Sequence, residues 1–435
     1  MKSLKLILSL ILFLCSKKNI AQEDTINTIK LNELVITATK TEKLINNTTI
    51  PIISLSREEI SSTGYSNLSE IIAEQTGMTI MPTYSGGESV QLQGLESDYI
   101  LILIDGFPVT GRIAGDLDVS RISLYDVEKI EIIKGGSSSL YGSEAMAGVI
   151  NVITKKNEKE GLFPGIIYKY GSHNFHDLST KIYFSKKNTK IAGNANYISS
   201  NGYDLVDFDD TQTVQPFNRI SKAFYIENDL KKLGRTQVKI RNYIENKDET
   251  VFINEPGFNP KSRTNEYNIY LKYINKLQKK TSLFFEYYNT LFNNRESLLV
   301  NGSSQKYEFK QSISRYELRL NNKINNNLNI DLGIGINQAF VDRTNFDKKE
   351  NLLSEYLYLQ KDWIINEKTN IISGLRYDRH SEYKSQVSPK VSINKKIKEK
   401  LTLKASFGTG FKTPDFRHLY LNFSNINSGY IVLGT

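Results

Sequence analysis

The chain has 435 residues, 56 Lys and Arg against 47 Asp and Glu, a formal net charge of +9 and a mean hydropathy of −0.38. Beyond the N-terminus no run approaches the ~18 apolar residues that a spanning helix needs, which excludes a helical membrane protein but not a β-barrel, where only alternate residues meet lipid. A single cysteine, Cys15, excludes a disulfide scaffold and thiolate metal chemistry.

Residues 1–21 read as a signal peptide. Lys2 and Lys5 supply the positive start, Leu6 to Cys15 the apolar core, and Ala21 a small residue at the cleavage edge. Leu14 before Cys15 disfavours lipidation of that cysteine. Removing the segment takes away four lysines and the only cysteine, leaving 52 basic against 47 acidic residues, or +5. So small an excess does not argue for a nucleic-acid partner.

Residues 22–50 are polar and read as a mobile tether, with one apolar island at Leu34-Val35-Ile36. Residues 51–156 read as a compact α/β unit. Pro51 to Leu55 is strand-like. Ser56 to Ala73 is expected to be helical, with Ser56 and Glu59 in capping-box spacing. The apolar run Tyr99 to Ile104 ends at the turn signal Asp105-Gly106. Ile130 to Ile133 and Val149 to Ile153 are two further short strands. The stretch Gly135-Gly136-Ser137-Ser138-Ser139 is not a phosphate loop, because no Gly-Lys-Ser/Thr follows it.

From about residue 160 to 435 the chain becomes a series of two-sided strands. Leu401, Leu403, Ala405 and Phe407 alternate with Thr402, Lys404 and Ser406. Ile330, Leu332, Ile334 and Ile336 alternate with Asp331, Gly333, Gly335 and Asn337, and Tyr267 to Tyr273 and Tyr316 to Leu320 behave likewise. Period two assigns one set to each face of a sheet. A charged inner face is normal where it lines a wet or plugged lumen. Register then places Leu401, Leu403 and Phe407 outward and Lys404 inward. Short polar turns near Asn188, Gly234, Lys279, Asn326, Glu367 and Lys398, with longer polar segments between them, give the end-to-end asymmetry of an outer-membrane barrel.

Three blocks of sequence resemble the TonB-dependent outer-membrane receptor family, of the siderophore, haem and cobalamin type. Glu33-Leu34-Val35-Ile36-Thr37-Ala38 resembles a TonB box. Gln93-Gly94, Leu101 to Gly106, Val127 to Gly135, Ser139 to Gly142 and Ala145 to Thr154 match the family's plug pattern. Phe411-Lys412-Thr413-Pro414, Phe416 and Leu419-Tyr420 resemble a barrel segment. The resemblance implies a small α/β plug domain inside a transmembrane antiparallel β-barrel of 22 strands. Six tight turns account for about half of these, so the chain reads as truncated. It implies an energy-transducing partner of TonB type that spans the periplasm, a small metal complex as ligand, and outer-membrane lipid around the barrel. It implies no cofactor and no enzyme chemistry; no triad, metal-ligand spacing or carboxylate pair contradicts this. Gln93 stands where many relatives carry arginine, so an ion pair to the barrel is in doubt there.

By position in the family, Tyr84, Ser85, Gly86, Gly87 and Arg112 at the plug apex are expected to face the ligand. His418 is a candidate haem ligand, with a surface histidine as the plainer reading. Asp204, Asp207, Asp209 and Asp210 are a candidate Ca²⁺ site, with an acidic solvated loop as the alternative. Glu128, Lys129, Glu131 and Lys134 are expected as a charge cluster facing the barrel wall, or as a solvated strand edge. The function implied is energised import of a ferric siderophore, with haem or cobalamin as alternatives and a passive porin or adhesin barrel as the rival class. A glycan importer is disfavoured, because the box follows the signal by only about a dozen residues.

Overall fold

A computed structural model describes residues 33–433, apart from 38, 84–86, 114, 137, 157–158, 206–212, 249–260, 301–302, 345, 347, 399–400, 421 and 426–429. The expected signal segment lies outside the described residues.

Two short strands, β1 (Leu34–Val35) and β2 (Lys43–Leu44), pair antiparallel ahead of the plug. The α/β unit follows as β3 (Ile52–Ser56), α1 (Arg57–Thr63), α2 (Leu68–Ala73), β4 (Met78–Pro82), β5 (Glu88–Leu92), β6 (Ile100–Ile104), β7 (Phe107–Pro108), β8 (Val127–Lys134), α3 (Ser138–Tyr141) and β9 (Gly148–Thr154). Ser56 and Glu59 form the capping box that their spacing predicts. The single helix expected over 56–73 is two, however. Gly64 takes a left-handed φ of 73° that ends α1, and Asn67 caps α2 with its own capping box to Glu70.

The plug sheet has the order β3-β8-β9-β6-β7, with β6 and β9 parallel. Every residue of β6 is buried, because both faces of the sheet are covered. One face carries Ile102, Ile104, Ile130, Ile132, Ile150 and Val152 against Ile60, Leu68 and Ile72 of the helices. The opposite face carries Leu101, Leu103, Ile133 and Val149 against Leu140 and Tyr141, and against Tyr356 and Tyr358 of the strands that follow.

Those strands are β10 (Gly161–Gly171), β11 (Phe175–Lys186), β12 (Thr189–Ser200), β13 (Phe217–Asp229), β14 (Arg235–Asp248), β15 (Lys261–Gln278), β16 (Thr281–Val300), β17 (Ser303–Asn325), β18 (Leu328–Arg343), β19 (Glu350–Asn366), β20 (Thr369–His380), β21 (Gln386–Lys398) and β22 (Leu401–Gly408). They form one 13-stranded antiparallel sheet in sequence order. Helix α4 (Phe416–Tyr420) and a hairpin of β23 (Asn422–Asn425) and β24 (Tyr430–Leu433) come last.

All six tight turns fall where the sequence places them, at one end of the sheet. The long connection 201–216 lies at the other, together with shorter ones at 172–174 and 381–385. Alternation also holds. Leu332, Ile334, Leu401, Leu403 and Phe407 are exposed on the outer face, while Lys404 turns inward and donates to Ile45 O and Thr48 Oγ1.

The inner face is polar where it meets the plug. Lys239 pairs with Asp105 of the β6–β7 turn, Lys247 with Asp118 at 3.4 Å, and Arg121 with Glu266 at 3.6 Å. Phe107 adds a second apolar contact beside the Tyr356 and Tyr358 layer, set against Tyr270 and Tyr288 with ring centroids 4.1 and 5.2 Å away. Contacts run from Lys169 on β10 to Lys404 on β22, so the sheet surrounds the plug on the sides it covers.

Candidate functional site

Period two along β8 decides what the plug offers to segment 33–38. Ile130 and Ile132 point to the helix-side core, so Lys129, Glu131 and Ile133 point to the other face. There Glu131, with no exposed surface, meets the segment and not the barrel wall, contrary to the expected cluster. Its Oε2 accepts hydrogen bonds from Ile36 N at 3.0 Å, Thr37 N at 2.8 Å and Thr37 Oγ1 at 2.5 Å. Lys129 pairs with Oε1 at 2.6 Å and also donates to Leu34 O. Of the other two members of the expected cluster, Lys134 donates to Thr76 O and Glu128 is exposed.

Thr37 is held on all its polar atoms. Asn151, the partner of Glu131 across the β8–β9 ladder, donates to Thr37 Oγ1 at 2.9 Å, and Tyr141 OH donates to Thr37 O at 2.9 Å. A buried carboxylate costs several kcal/mol unless it is paired, and here the segment's backbone supplies much of that pairing. Leu34 and Val35 are extended and pair with Leu44 and Lys43. Val35 is 1% exposed and Leu34 47%.

The sheet grips the residues that follow the segment. Lys40 pairs with Glu317 at 3.0 Å, and Glu317 also accepts from Tyr356 OH at 2.7 Å and Tyr358 OH at 3.0 Å. Burial pulls the Lys40 ammonium below its usual value, against the opposing pull of Glu317. Lys43 pairs with Asp362 at 2.7 Å, and Gln360 donates to Thr39 O at 3.3 Å. Asn370 and Asn394 donate to the carbonyls of Asn47 and Asn46 beside the tight turns. Residues 34–50, read from sequence as a mobile tether, are therefore packed at the tight-turn end, with Thr37, Thr39, Thr48 and Thr49 buried. A cavity of about 170 Å³ opens beside them, lined among others by Ile36, Lys40, Asp105, Lys239 and Glu317.

At the long-loop end, residues 411–420 fold back over the plug. Thr413 N donates to Ser143 Oγ at 3.0 Å, and the two hydroxyls lie 2.9 Å apart. Lys412 pairs with Glu144 at 3.7 Å, and Arg417 with Asp98 at 3.6 Å. Phe416 packs on Val341 and Leu352 of the sheet. Arg417 lies so close to Gly115 that a Cβ there would sit 2.6 Å from its Nη2. Burial pushes the Asp98 carboxyl above its ordinary value, with Lys412 and Arg112 pulling the other way.

The sequence-derived site residues fall into three groups. Ile36 and Thr37 meet on Glu131, Leu34 meets Lys129 and Val35 pairs with Lys43, with Glu33 preceding them half-exposed. Ala38, Tyr84, Ser85, Gly86, Asp207, Asp209 and Asp210 lie outside the described residues. The remainder are placed but not brought together as a pocket. Arg112 spends its guanidinium on Ser97 O, Ile100 O and Glu144. Gly87 N donates to Thr83 Oγ1, and Asp118 packs where a Cβ would go. His418 Nδ1 lies 3.0 Å from Asp415. Asp204 accepts from Thr213 Oγ1. Among the described residues no group of three or more His, Cys, Asp or Glu is arranged to hold a metal. Gln93 occupies a left-handed turn with its side chain exposed. Sequence reasoning missed Glu131, Tyr141, Asn151 and Glu317 as partners of the N-terminal segment. The one signal available was a charge, Glu131, set between the apolar Ile130 and Ile132 of β8.

Two family models match the chain: the TonB-dependent Receptor Plug Domain over residues 45–149, and the TonB dependent receptor-like beta-barrel over 164–435. Similar proteins include the vitamin B12 transporter BtuB of Vibrio cholerae serotype O1, 26% identical over an alignment covering 91% of this chain and 65% of that protein. The Photobacterium profundum transporter of the same name is 23% identical over 89% of this chain and 63% of its own. Among solved structures, the siderophore receptor PirA from Acinetobacter baumannii superposes with a TM-score of 0.72 at 14% identity, covering 85% of this chain and 63% of that one. A variant of the ferric enterobactin receptor PfeA from Pseudomonas aeruginosa gives 0.73 at 17% identity, covering 85% and 64%. The chain thus spans a little under two thirds of the length of these relatives. The plug sheet, the surrounding alternating strands and both family models agree: this chain belongs to the TonB-dependent receptor family.

Proposed function

We propose that the chain serves TonB-dependent active import of a scarce metal complex across the outer membrane of a Gram-negative bacterium, with a ferric siderophore as the first candidate ligand. It acts as a receptor and transporter, not as an enzyme. The observation that carries this reading is the docking of residues 34–37 at the tight-turn end, which in outer-membrane barrels faces the periplasm. The segment is extended, and its hold on Glu131 is polar and hydrogen-bonded. A periplasm-spanning partner can take such a segment as an added strand, with main-chain hydrogen bonds bearing the load. The polar seam between plug and sheet supports the same reading, since it exchanges for water more readily than an apolar core does.

The siderophore assignment is supported by the structural likeness to PirA and PfeA, and cobalamin uptake by the sequence likeness to BtuB. Equilibrium binding and uptake of labelled ferric siderophores, haem and cyanocobalamin by cells carrying the receptor distinguish them. Saturable uptake of a ferric siderophore that stops when the energy-transducing partner is deleted is expected. Uptake that continues at full rate without the partner overturns the coupling, and uptake of cyanocobalamin alone replaces the ligand.

A further inference from the structure

Tyr141 and Ser143 are two residues apart and touch segments from opposite ends of the plug. Tyr141 OH holds Thr37 O at 2.9 Å, while Ser143 Oγ is bonded to both the amide and the hydroxyl of Thr413, at 3.0 and 2.9 Å. Glu144, next in the chain, joins Lys412 at 3.7 Å and Arg112 at 3.6 Å. The short stretch between these contacts has little freedom. Gly142 and Glu144 both adopt left-handed φ, 83° and 71°, and for a glutamate that conformation needs its surroundings to impose it. Arg376 of β20 braces the stretch from the wall. It donates to Leu140 O at 3.4 Å, stacks on Tyr356 at 3.9 Å and is itself fixed by Asp378 at 2.7 Å. Tyr141 is 8% exposed and packs against Tyr356 and Tyr358. A shift of Ser143 therefore has few ways to be absorbed before it reaches the tyrosine.

We propose that residues 140–144 are a rigid link through which the outer segment 411–420 restrains the N-terminal segment, and that Tyr141 and Ser143 are positioning residues for its release. The inference rests on the reading of residues 33–38 as the coupling segment. When Thr413 leaves Ser143, as when a ligand displaces the outer segment, the link loses its outer anchor. Tyr141 then loosens its hold on Thr37, and the segment becomes available at the other end.

Cys15 is the only cysteine of residues 1–435, within the expected signal segment, so Val35→Cys, in a receptor with any other cysteine replaced, supplies a unique buried thiol. Its labelling rate by a small maleimide in outer membranes reports undocking. Tyr141→Phe is expected to raise the rate roughly fivefold, the effect of losing one neutral hydrogen bond. Ser143→Ala and Thr413→Val, at the far end, should each raise it by a similar factor. Thr413→Ser, which keeps the hydroxyl, should match the parent. The double variant Tyr141→Phe/Ser143→Ala should fall well short of the product of the single effects, as for coupled residues. Labelling unchanged by Ser143→Ala and Thr413→Val, or fully multiplicative effects, overturns the link. The labelling reads docking whether or not a partner grips the segment, so a failed coupling function shows separately, as normal uptake with the segment disrupted.

Discussion

The plug sheet and the surrounding sheet use similar residues in opposite ways. Strand β6 buries all five of its apolar side chains, while β18 exposes Leu332, Ile334 and Ile336 and turns Asp331 inward to Arg319 at 3.1 Å. The first pattern belongs to a strand covered on both faces, and the second to a wall between lipid and a filled lumen. The difference separates what folds the plug from what keeps it in place. Its own stability comes from two apolar layers, while its attachment rests mainly on ion pairs and hydrogen bonds, with aromatic contacts at Tyr356 and Tyr358 and at Phe107. A domain held this way can be moved without being unfolded first.

The largest expected effect tests the apolar half of that contrast. Leu103→Ala, in a fully buried position, should cost about 2–5 kcal/mol through lost burial and a cavity. Leu332→Ala on the lipid face should cost far less, because lipid fills the space. Urea midpoints of the plug, read by protease resistance, should therefore fall for the first and barely move for the second.

Next in size is the polar hold on the N-terminal segment. Glu131→Gln leaves an amide facing two backbone N–H donors and should weaken docking by about 2–3 kcal/mol, as for hydrogen bonds to a charged group. Faster thiol labelling of Val35→Cys checks this, and an unchanged rate would remove Glu131 from the account.

The seam also has a pH signature. Burial alone would raise the Asp105 carboxyl, but Lys239 and Lys156 more than offset it and bring it from 3.8 down to about 2. At ~1.4 kcal/mol per unit this contributes about 2 kcal/mol. The contribution is complete above about pH 4, where an unfolded aspartate is ionised, and is lost as pH falls through about 2. Asp105→Asn should abolish this component of the acid transition; a variant with the parent's acid profile would show that the pair does not anchor the plug. Ser56→Ala, which removes the cap of α1, is the smallest change, about 1 kcal/mol, and should appear as a small shift in the same urea midpoint.

Much of the architecture was legible because it depends on local pattern. Alternation fixes the face of Leu403 and Lys404, turn residues fix the strand ends, and the Ser56–Glu59 spacing fixes a cap. The break at Gly64 was not read, since a glycine within a helical pattern is tolerated often enough to be passed over. The partners of the N-terminal segment were less accessible still. Thr37 meets Glu131 across 94 residues and Lys40 meets Glu317 across 277, and no local period encodes such pairs. Arg112 was expected at the ligand side by analogy of position; that its guanidinium is bonded to the carbonyls of Ser97 and Ile100 was not legible from the sequence.

The most direct test of the central claim, that residues 33–38 are where energy enters, is Val35→Pro. Proline removes the Val35 main-chain donor and restricts Leu34 before it, so the segment can no longer add cleanly to a partner's sheet. Labelled ferric siderophore should still bind at the cell surface with the parent's affinity, while its accumulation in the cell falls to background. Accumulation at the parent's rate would contradict the account.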